Sequence, residues 1–224
     1  LNANTTGELN NAFGYYTLGV NTTGNYNTGM GHAALSANTT GFENAAFGYN
    51  ALYANTTGAY NTACGRAALK TNTTGSRNTA VGRTALHNNT TGDDLVGVGY
   101  YALISNTIAH DNTACGAFSL RQNTSGGSNT AVGYAALENS TTGGSLVAVG
   151  KGALASNTTA SNNTAVGAGA LGSNTTGGEN TAVGQDALQS CTTGYRNVVM
   201  GHHAGDIIST GYRNTCLGNI AGHD

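Results

Sequence analysis

The stretch Asn78–Asp94 reads N-T-A-V-G-R-T-A-L-H-N-N-T-T-G-D-D, and close copies of this unit follow one another along the whole chain. We number the unit from 1 at Asn78 to 17 at Asp94, and equivalent residues of successive units form a column. The column 5 glycines recur every 17 residues without an insertion. They are Gly14, Gly31, Gly48, Gly65, Gly82, Gly99, Gly116, Gly133, Gly150, Gly167, Gly184, Gly201 and Gly218. A period that never slips indicates that each unit stacks on the next, whereas disordered tracts drift in length.

The length of the unit decides between helix and strand. Seventeen residues are too few for two packed helices, which need about 30 or more. The apolar residues come as two short pairs bounded by Gly or Asn, which is typical of strands separated by turns. The sequence therefore predicts an all-β protein, a parallel β-solenoid (β-roll) of about thirteen 17-residue coils that forms one repeat domain over residues 1–224. Within the reference unit we expect one strand at Thr79–Val81, a turn, and a second strand at Ala85–Asn88.

The composition fits stacked coils and narrows the classes of function. Charged residues are 8% of the chain, against about 25% in ordinary soluble domains, and proline is absent. Residues of one column lie about 4.8 Å apart in a solenoid, so like charges in an inner column would repel. All charged residues fall in columns 6, 7, 10, 11, 16 and 17. The net charge of −2 favours neither nucleic acid nor an anionic membrane as a partner, and no long apolar run predicts a membrane span.

Asparagine fills columns 1 and 12 and predicts amide ladders, in which each side chain bonds to the next along the stack. Leu95 and Leu146 interrupt column 1, and Ser140, Cys191 and Ile208 interrupt column 12. The same N-T-T triplets satisfy the acceptor pattern for N-glycosylation, so exposed sugar-bearing loops are an alternative interpretation.

Adjacent apolar residues indicate a second packing surface. Neighbouring residues of a strand face opposite sides, yet columns 3 and 4 are both apolar, and so are columns 8 and 9. We infer a homo-oligomer, a trimer or an end-to-end filament, in which one column meets another chain. The alternative is a wider single-chain solenoid that buries both columns in one core. Column 4, the expected inter-chain or core column, consists of Phe13, Met30, Phe47, Cys64, Val81, Val98, Cys115, Val132, Val149, Val166, Val183, Met200 and Leu217.

The unit resembles two related families of fibrous proteins. Its A-V-G-x-x-A core, as in Ala80–Ala85, resembles the head repeats of trimeric autotransporter adhesins, which form left-handed parallel β-rolls in threes. The full unit resembles more closely the shaft repeats of phage tail fibres and bacterial surface fibres, and it is a few residues longer than the adhesin unit. This resemblance spans the whole chain. It implies a trimeric rod located outside the cell, on the cell surface or in a virion tail.

Tyrosine is the informative variable residue at the turns. Column 6 holds Tyr15, Tyr49, Tyr100 and Tyr134, with Tyr16 and Tyr101 beside them and Tyr53 in column 10. Exposed tyrosines suit contacts with surface glycans or a host receptor. The alternative is that the turn accepts any bulky residue, because Arg66, Arg83 and Lys151 share column 6.

Other residues support specific chemistry weakly. His202 and His203 are adjacent with Asp206 nearby, but a metal ion would need a further ligand from another coil or chain. The cysteines have no C-x-x-C spacing, and buried packing is the favoured interpretation for them. We therefore expect no catalytic residues, no cofactor and no enzyme activity.

The preferred function is a structural or adhesive fibre segment that presents variable turn residues for attachment. The chain shows no recognisable leader and no polar end caps, so we expect a piece of a longer fibre or a subunit that stacks end to end. One alternative is an ice-binding solenoid that uses the threonines of column 13. Another is a glycan-degrading spike, for which Asp93, Asp94 and Asp111 are the only dense acids.

Overall fold

The computed structural model describes residues 1–222, in which each coil contributes one three-residue strand and no helix occurs. The strands fall into two compact units, Leu1–Asp111 and Asn112–Asp224, called here the N-terminal and C-terminal units. The N-terminal unit contains β1 Asn11–Phe13, β2 Thr28–Met30, β3 Ala45–Phe47, β4 Thr62–Cys64, β5 Thr79–Val81 and β6 Val96–Val98. The C-terminal unit contains β7 Thr113–Cys115, β8 Thr130–Val132, β9 Val147–Val149, β10 Thr164–Val166, β11 Thr181–Val183, β12 Val198–Met200 and β13 Thr215–Leu217.

Within each unit the strands lie side by side in chain order and are all parallel. Each residue pairs with its equivalent 17 positions later, as Thr79 does with Val96. The predicted β-solenoid with a 17-residue coil is therefore confirmed, and so is the first strand of the coil. The single domain over residues 1–224 stays a prediction.

The second predicted strand is wrong, because the segment after column 5 is a series of turns. Thr84 has a φ of 57° and Leu86 a φ of 53°, and their equivalents repeat this left-handed backbone in coil after coil. The turns aim both Ala85 and Leu86 into the coil, where neither is exposed to solvent. The backbone still bonds between coils, since the Leu86 amide donates to the Ala102 carbonyl at 2.9 Å. Columns 8 and 9 therefore share one interior and need no second chain.

The strand itself shows the expected alternation of faces. Ala80 in column 3 is fully buried, whereas Val81 in column 4 is exposed and Thr79 in column 2 is partly exposed. The interior is thus narrow, and it consists mainly of the small residues of columns 3 and 8, the leucines of column 9 and the two asparagine columns. This arrangement excludes the wider solenoid in which a single core buries both column 3 and column 4.

The asparagines form the predicted ladders. In column 12 the side-chain amide of Asn55 donates to Asn38 Oδ1 at 2.8 Å and to the Gly58 carbonyl at 2.9 Å. Its own Oδ1 accepts from Asn72 Nδ2 at 2.9 Å. The two rungs therefore satisfy the buried Asn55 amide completely and tie its coil to both neighbours.

Column 1 forms a second ladder by a different route. The backbone amide of Asn61 donates to Asn44 Oδ1 at 3.0 Å, while Asn61 Nδ2 reaches the Gly75 carbonyl at 2.9 Å. Leu95 keeps the backbone bond to Asn78 Oδ1 at 3.0 Å. A leucine can therefore replace asparagine in column 1 without leaving its predecessor's carbonyl oxygen unpaired.

Glycine occurs in columns 5 and 15 for different physical reasons. Gly82 in column 5 has a φ of +129°, and a Cβ on it would lie 2.6 Å from the Gly99 carbonyl oxygen. Gly92 in column 15 has no such φ but packs closely against the next coil. Ala109 and Ala160 replace glycine in column 15, and their carbonyls lie farther from the capping asparagine amides, at 3.2 Å. Column 15 therefore tolerates a methyl group at the cost of a longer hydrogen bond.

Candidate functional site

The outer face of the strands is the most extensive candidate surface. In each unit it is built from columns 2 and 4, which point away from the coil interior and contain no charged residue. We call it the strand face. The residues of column 4 are exposed, apart from Val98 and Val183, which are half-buried. Val81, Val132 and Val166 retain 37–38% exposure. Column 4 therefore lies outside the core of the chain, and its predicted contact with another chain stays a prediction.

The cysteines divide between this face and the interior. Cys64 and Cys115 are exposed members of column 4, and Cys216 in column 3 is half-buried. Cys191 is buried in the asparagine column 12, and burial raises the pKa of its thiol. Because Cys191 donates no amide, Asn174 Oδ1 in the preceding coil is buried without a hydrogen-bond partner. The predicted buried role fits Cys191 but not Cys64 and Cys115.

Tyr15 and Tyr49 of column 6 belong to a stack of flat side chains in the N-terminal unit. The Tyr15 and His32 rings are 5.4 Å apart, and His32 and Tyr49 are 5.2 Å apart with planes inclined by only 17°. The Arg66 guanidinium then lies 5.9 Å from the centre of the Tyr49 ring. Tyr49 thus has a neighbour on each side along the stack. Tyrosines that sequence reasoning treated as separate ligand contacts are therefore partly engaged with one another.

The remaining candidate tyrosines form local pairs. Tyr16 meets Tyr15 edge-on at 4.8 Å, and Tyr101 meets Tyr100 edge-on at 4.1 Å. A hydrogen bond with Tyr101 raises the pKa of Tyr100. In the C-terminal unit Tyr134 packs edge-on to Phe118 at 5.8 Å. Tyr53 in column 10 is 42% exposed.

Charge is segregated in the N-terminal unit, a feature that sequence reasoning missed. Its acids precede the strands in columns 16 and 17, whereas Arg66, Lys70 and Arg83 follow the strands in columns 6 and 10. The acids are Glu8, Glu43, Asp93, Asp94 and Asp111. Since all strands are parallel, the acids lie before the strands and the column 6 arginines lie beyond their other end, while Lys70 follows in the turn segment. Comparing charge column by column over residues 1–111 would have found this pattern.

Two of these acids, Asp93 and Asp94, lie in ion pairs. Arg77 Nε donates to Asp94 Oδ1 at 2.7 Å, and this bond lowers the pKa of Asp94 and raises that of Arg77. Asp93 Oδ2 lies 3.8 Å from both Arg77 and His110. Asp93 and Asp94 are thus engaged with Arg77 and His110, and no salt bridge of residues 1–222 includes Asp111, so the three acids give the glycan-degrading alternative no support.

The two histidines proposed as weak metal candidates do not converge. His202 Nδ1 lies 3.1 Å from Asn219 Oδ1, whereas His203 faces Asp186 at 3.8 Å and Asp206 at 3.5 Å. Their rings meet edge-on, with centres 4.3 Å apart. Among residues 1–222 no group of three His, Cys, Asp or Glu side chains is arranged to hold a metal ion.

The threonines and asparagines of the N-T-T-G loop mainly hold the coils together. The column 13 hydroxyls donate to the next coil, as Thr73 Oγ1 does to the Thr90 carbonyl at 3.0 Å. That use of the hydroxyls weakens the ice-binding interpretation. Asn38, Asn55, Asn72 and Asn174 are fully buried in the ladder, so they are not accessible as glycosylation acceptors in the folded chain.

His87 gives a pH-dependent contribution to stability. Burial lowers the pKa of His87 from its ordinary value of 6.5, the Lys70 charge adds to the effect, and the bond to the Ala67 carbonyl at 3.2 Å opposes it. The unfolded chain then takes up this proton at a higher pH than the folded chain does. We expect the free energy of unfolding to fall as pH drops below about 6.5. Comparing urea unfolding of the wild type and of His87→Gln between pH 7.5 and 5 checks this, because the variant should lack this component of the decline.

No helix within the described residues is long and apolar enough to cross a membrane. No protein-family model matches the chain, and neither a curated protein nor a solved structure shows significant similarity to it.

Proposed function

We propose that this chain is a structural and adhesive segment of an extracellular fibre, such as a phage tail-fibre shaft or a bacterial surface filament. The observation that carries the proposal is the strand face, an uncharged outer surface that repeats in every coil and leaves its large apolar residues in solvent. Sustained exposure of such residues is typical of surfaces that bind another protein. The hydrogen-bonded ladders supply the stiffness that a shaft requires.

A second copy of the chain is the partner that fits this surface best. It carries the same two columns at the same spacing, so each coil can meet an equivalent coil over the length of a unit. Val81 and Val132 are each still 38% exposed, and covering such a side chain contributes about 0.5–1 kcal/mol. Several coils acting together therefore offset the entropy lost on association, which a single coil does not.

Native mass tests the proposal directly. We expect light scattering to give a particle well above the 22.4 kDa of one chain, and negative-stain images to show trimers or filaments. The double variant Val81→Lys/Val132→Lys places one charge on each unit's strand face and should shift the particle toward the monomer, because apposed charges repel.

The matched control is Thr91→Lys/Thr142→Lys. Both threonines are exposed in column 14, away from the strand face, so this variant should keep the wild-type mass. A wild-type monomer at every concentration, or equal dissociation of both variants, would overturn the assignment of the strand face as an interface.

One observation still favours the ice-binding alternative. The threonines of column 14, such as Thr57 and Thr74, are exposed. They form a single rank in each unit, because the column 13 hydroxyls are bonded to the backbone. A thermal hysteresis assay on the same sample decides it: no activity removes the alternative, and clear activity would replace the fibre proposal.

A further inference from the structure

Arg66, Lys70 and Arg83 are three cations of adjacent coils for which residues 1–222 offer no carboxylate partner, and we call them the basic edge. Arg66 and Arg83 occupy column 6 of adjacent coils, and Lys70 is four residues after Arg66 in column 10. The salt bridges of residues 1–222 include none of these three cations. In contrast, Arg77, Arg121 and Arg196 all pair with a carboxylate.

The two guanidinium groups of the basic edge are held apart. Arg66 leans toward the preceding coil, with its Cζ 5.9 Å from the Tyr49 ring centre. Arg83 leans toward the following coil, with its Cζ 5.6 Å from the Tyr100 ring centre. Like charges in adjacent coils repel, and each cation lies over a ring instead. An anion near this pair would relieve the repulsion, and guanidinium groups bind sulfate and carboxylate oxygens through charge-assisted hydrogen bonds.

The flanking rings determine how a polymer would be recognised. Tyr49 lies between His32, 5.2 Å away, and Arg66, 5.9 Å away, so neither ring face is open for stacking. Its edge and hydroxyl remain accessible, since the side chain is 49% exposed. Binding of single-stranded nucleic acid relies on open aromatic faces, which Tyr49 does not offer. Sugar hydroxyls can instead bond to the tyrosine hydroxyl beside an anion that the arginines hold.

We propose that the basic edge binds a linear polysaccharide that carries sulfate or carboxylate groups. The acids of the same unit lie beyond the other end of the strands, and fields are screened within about 8 Å at physiological salt. The ligand therefore responds to the local positive charge and not to the net charge of the chain. The proposal gives the attachment surface of the proposed fibre a ligand class, but it does not depend on self-association.

The test uses the full chain, with dextran sulfate and polygalacturonate as charged probes and neutral dextran for comparison. We expect both charged polymers to bind, with affinity falling steeply as salt is raised. The double variant Arg66→Gln/Arg83→Gln should weaken binding by about tenfold or more, because it removes two charge-assisted contacts. Neutral dextran should not bind.

The matched control is Arg77→Gln/Arg196→Gln, which removes the same charge from exposed arginines that already pair with Asp94 and Glu179. It should change the affinity for the charged polymers by less than about threefold, because the basic edge is intact and the charges that change lie beside Asp94 and Glu179. Equal losses in the two double variants would overturn the proposal. So would inorganic sulfate competing as well as the polymer at equal sulfate concentration, or oligo(dT) binding more tightly than dextran sulfate.

Native mass separates this proposal from the proposed function. Arg66→Gln/Arg83→Gln should keep the wild-type particle mass, because neither residue belongs to the strand face. A monomeric wild type that still binds dextran sulfate through the basic edge would reject the fibre and retain the ligand. Assembled particles that bind no charged polymer would retain the fibre proposal and reject the proposed ligand.

Discussion

Replacing Gly82 by alanine is expected to destabilise the N-terminal unit by about 3 kcal/mol or more. Gly82 combines a φ of +129°, which L residues rarely adopt, with a neighbouring carbonyl oxygen 2.6 Å from the position of the new Cβ. Backbone strain costs on the order of 1–3 kcal/mol, and forcing a methyl group into a filled site costs a similar amount. The opposing group is backbone of the next coil, so no flexible side chain can move aside. Urea unfolding followed by far-UV circular dichroism measures the loss.

Gly152→Ala is the matched control. Gly152 has a φ of +67°, but nothing lies within 4 Å of the position that a Cβ would take, and alanines already occupy equivalent column 7 sites, as Ala67 does with a φ of 57°. We expect a change of less than about 1 kcal/mol. Similar losses in both variants would mean that glycine recurs in column 5 for a reason other than close backbone approach.

Replacing Asn55 by aspartate should cost about 3–5 kcal/mol at neutral pH. The two side chains have nearly the same shape, so the change isolates the loss of the amide donor. Asn55 Nδ2 lies 2.8 Å from Asn38 Oδ1 and 2.9 Å from the Gly58 carbonyl, so a carboxylate oxygen there would face two acceptors in a buried site. The remaining partner, Asn72 Nδ2, would keep an acceptor.

The pH dependence of this variant identifies the cause. Burial next to acceptors favours the protonated carboxyl, so the pKa of Asp in the folded variant should exceed its unfolded value of about 3.9. The deficit is then complete above the folded pKa, and it shrinks as pH falls toward about 3.9, because the protonated group regains a donor. The difference between the unfolding free energies of wild type and variant should therefore be smaller at pH 4 than at pH 7. Asn88→Asp, at an exposed residue two coils farther along the chain, should show almost no deficit at either pH.

The parts of the fold that follow from stacking could be predicted from the sequence. The 17-residue period, the T-A-V strand and the asparagine ladders all require only that equivalent residues of successive coils meet. The turn at Thr84–Leu86 could not be predicted from apolar pairs, because leucine is a poor candidate for a φ of 53°. A signal did exist in the same column as Thr84, where Asn50 and Gly152 occur, since these residue types are typical of left-handed backbone.

The candidate surfaces were harder to derive. The sequence pattern singles out column 4 as core or interface but does not decide between them, because it predicts a second strand where the structure has turns. Because Ala85 and Leu86 both point inward, columns 8 and 9 belong to the core, and column 4 is the large apolar column that faces solvent in residues 1–222. In the sequence, Arg66 and Arg83 are bulky residues that share column 6 with tyrosine, which does not mark them as a ligand site. Their separation from the acids is present in the column pattern, whereas the absence of an ion pair at either arginine within residues 1–222 is a property of the three-dimensional structure.

The ladder at Asn38, Asn55 and Asn72 also bears on how such a gene can change in length. Every rung joins residues 17 apart, so duplicating or deleting one whole coil restores the ladder bonds between asparagines at the junction. An insertion of a single codon, in contrast, would displace both asparagine columns and both glycine columns at once. Recombination between these similar units therefore preserves the fold when it adds or removes whole coils. A lineage that carries this repeat can lengthen or shorten the protein in such steps and rearrange its surface residues, while the interior stays the same.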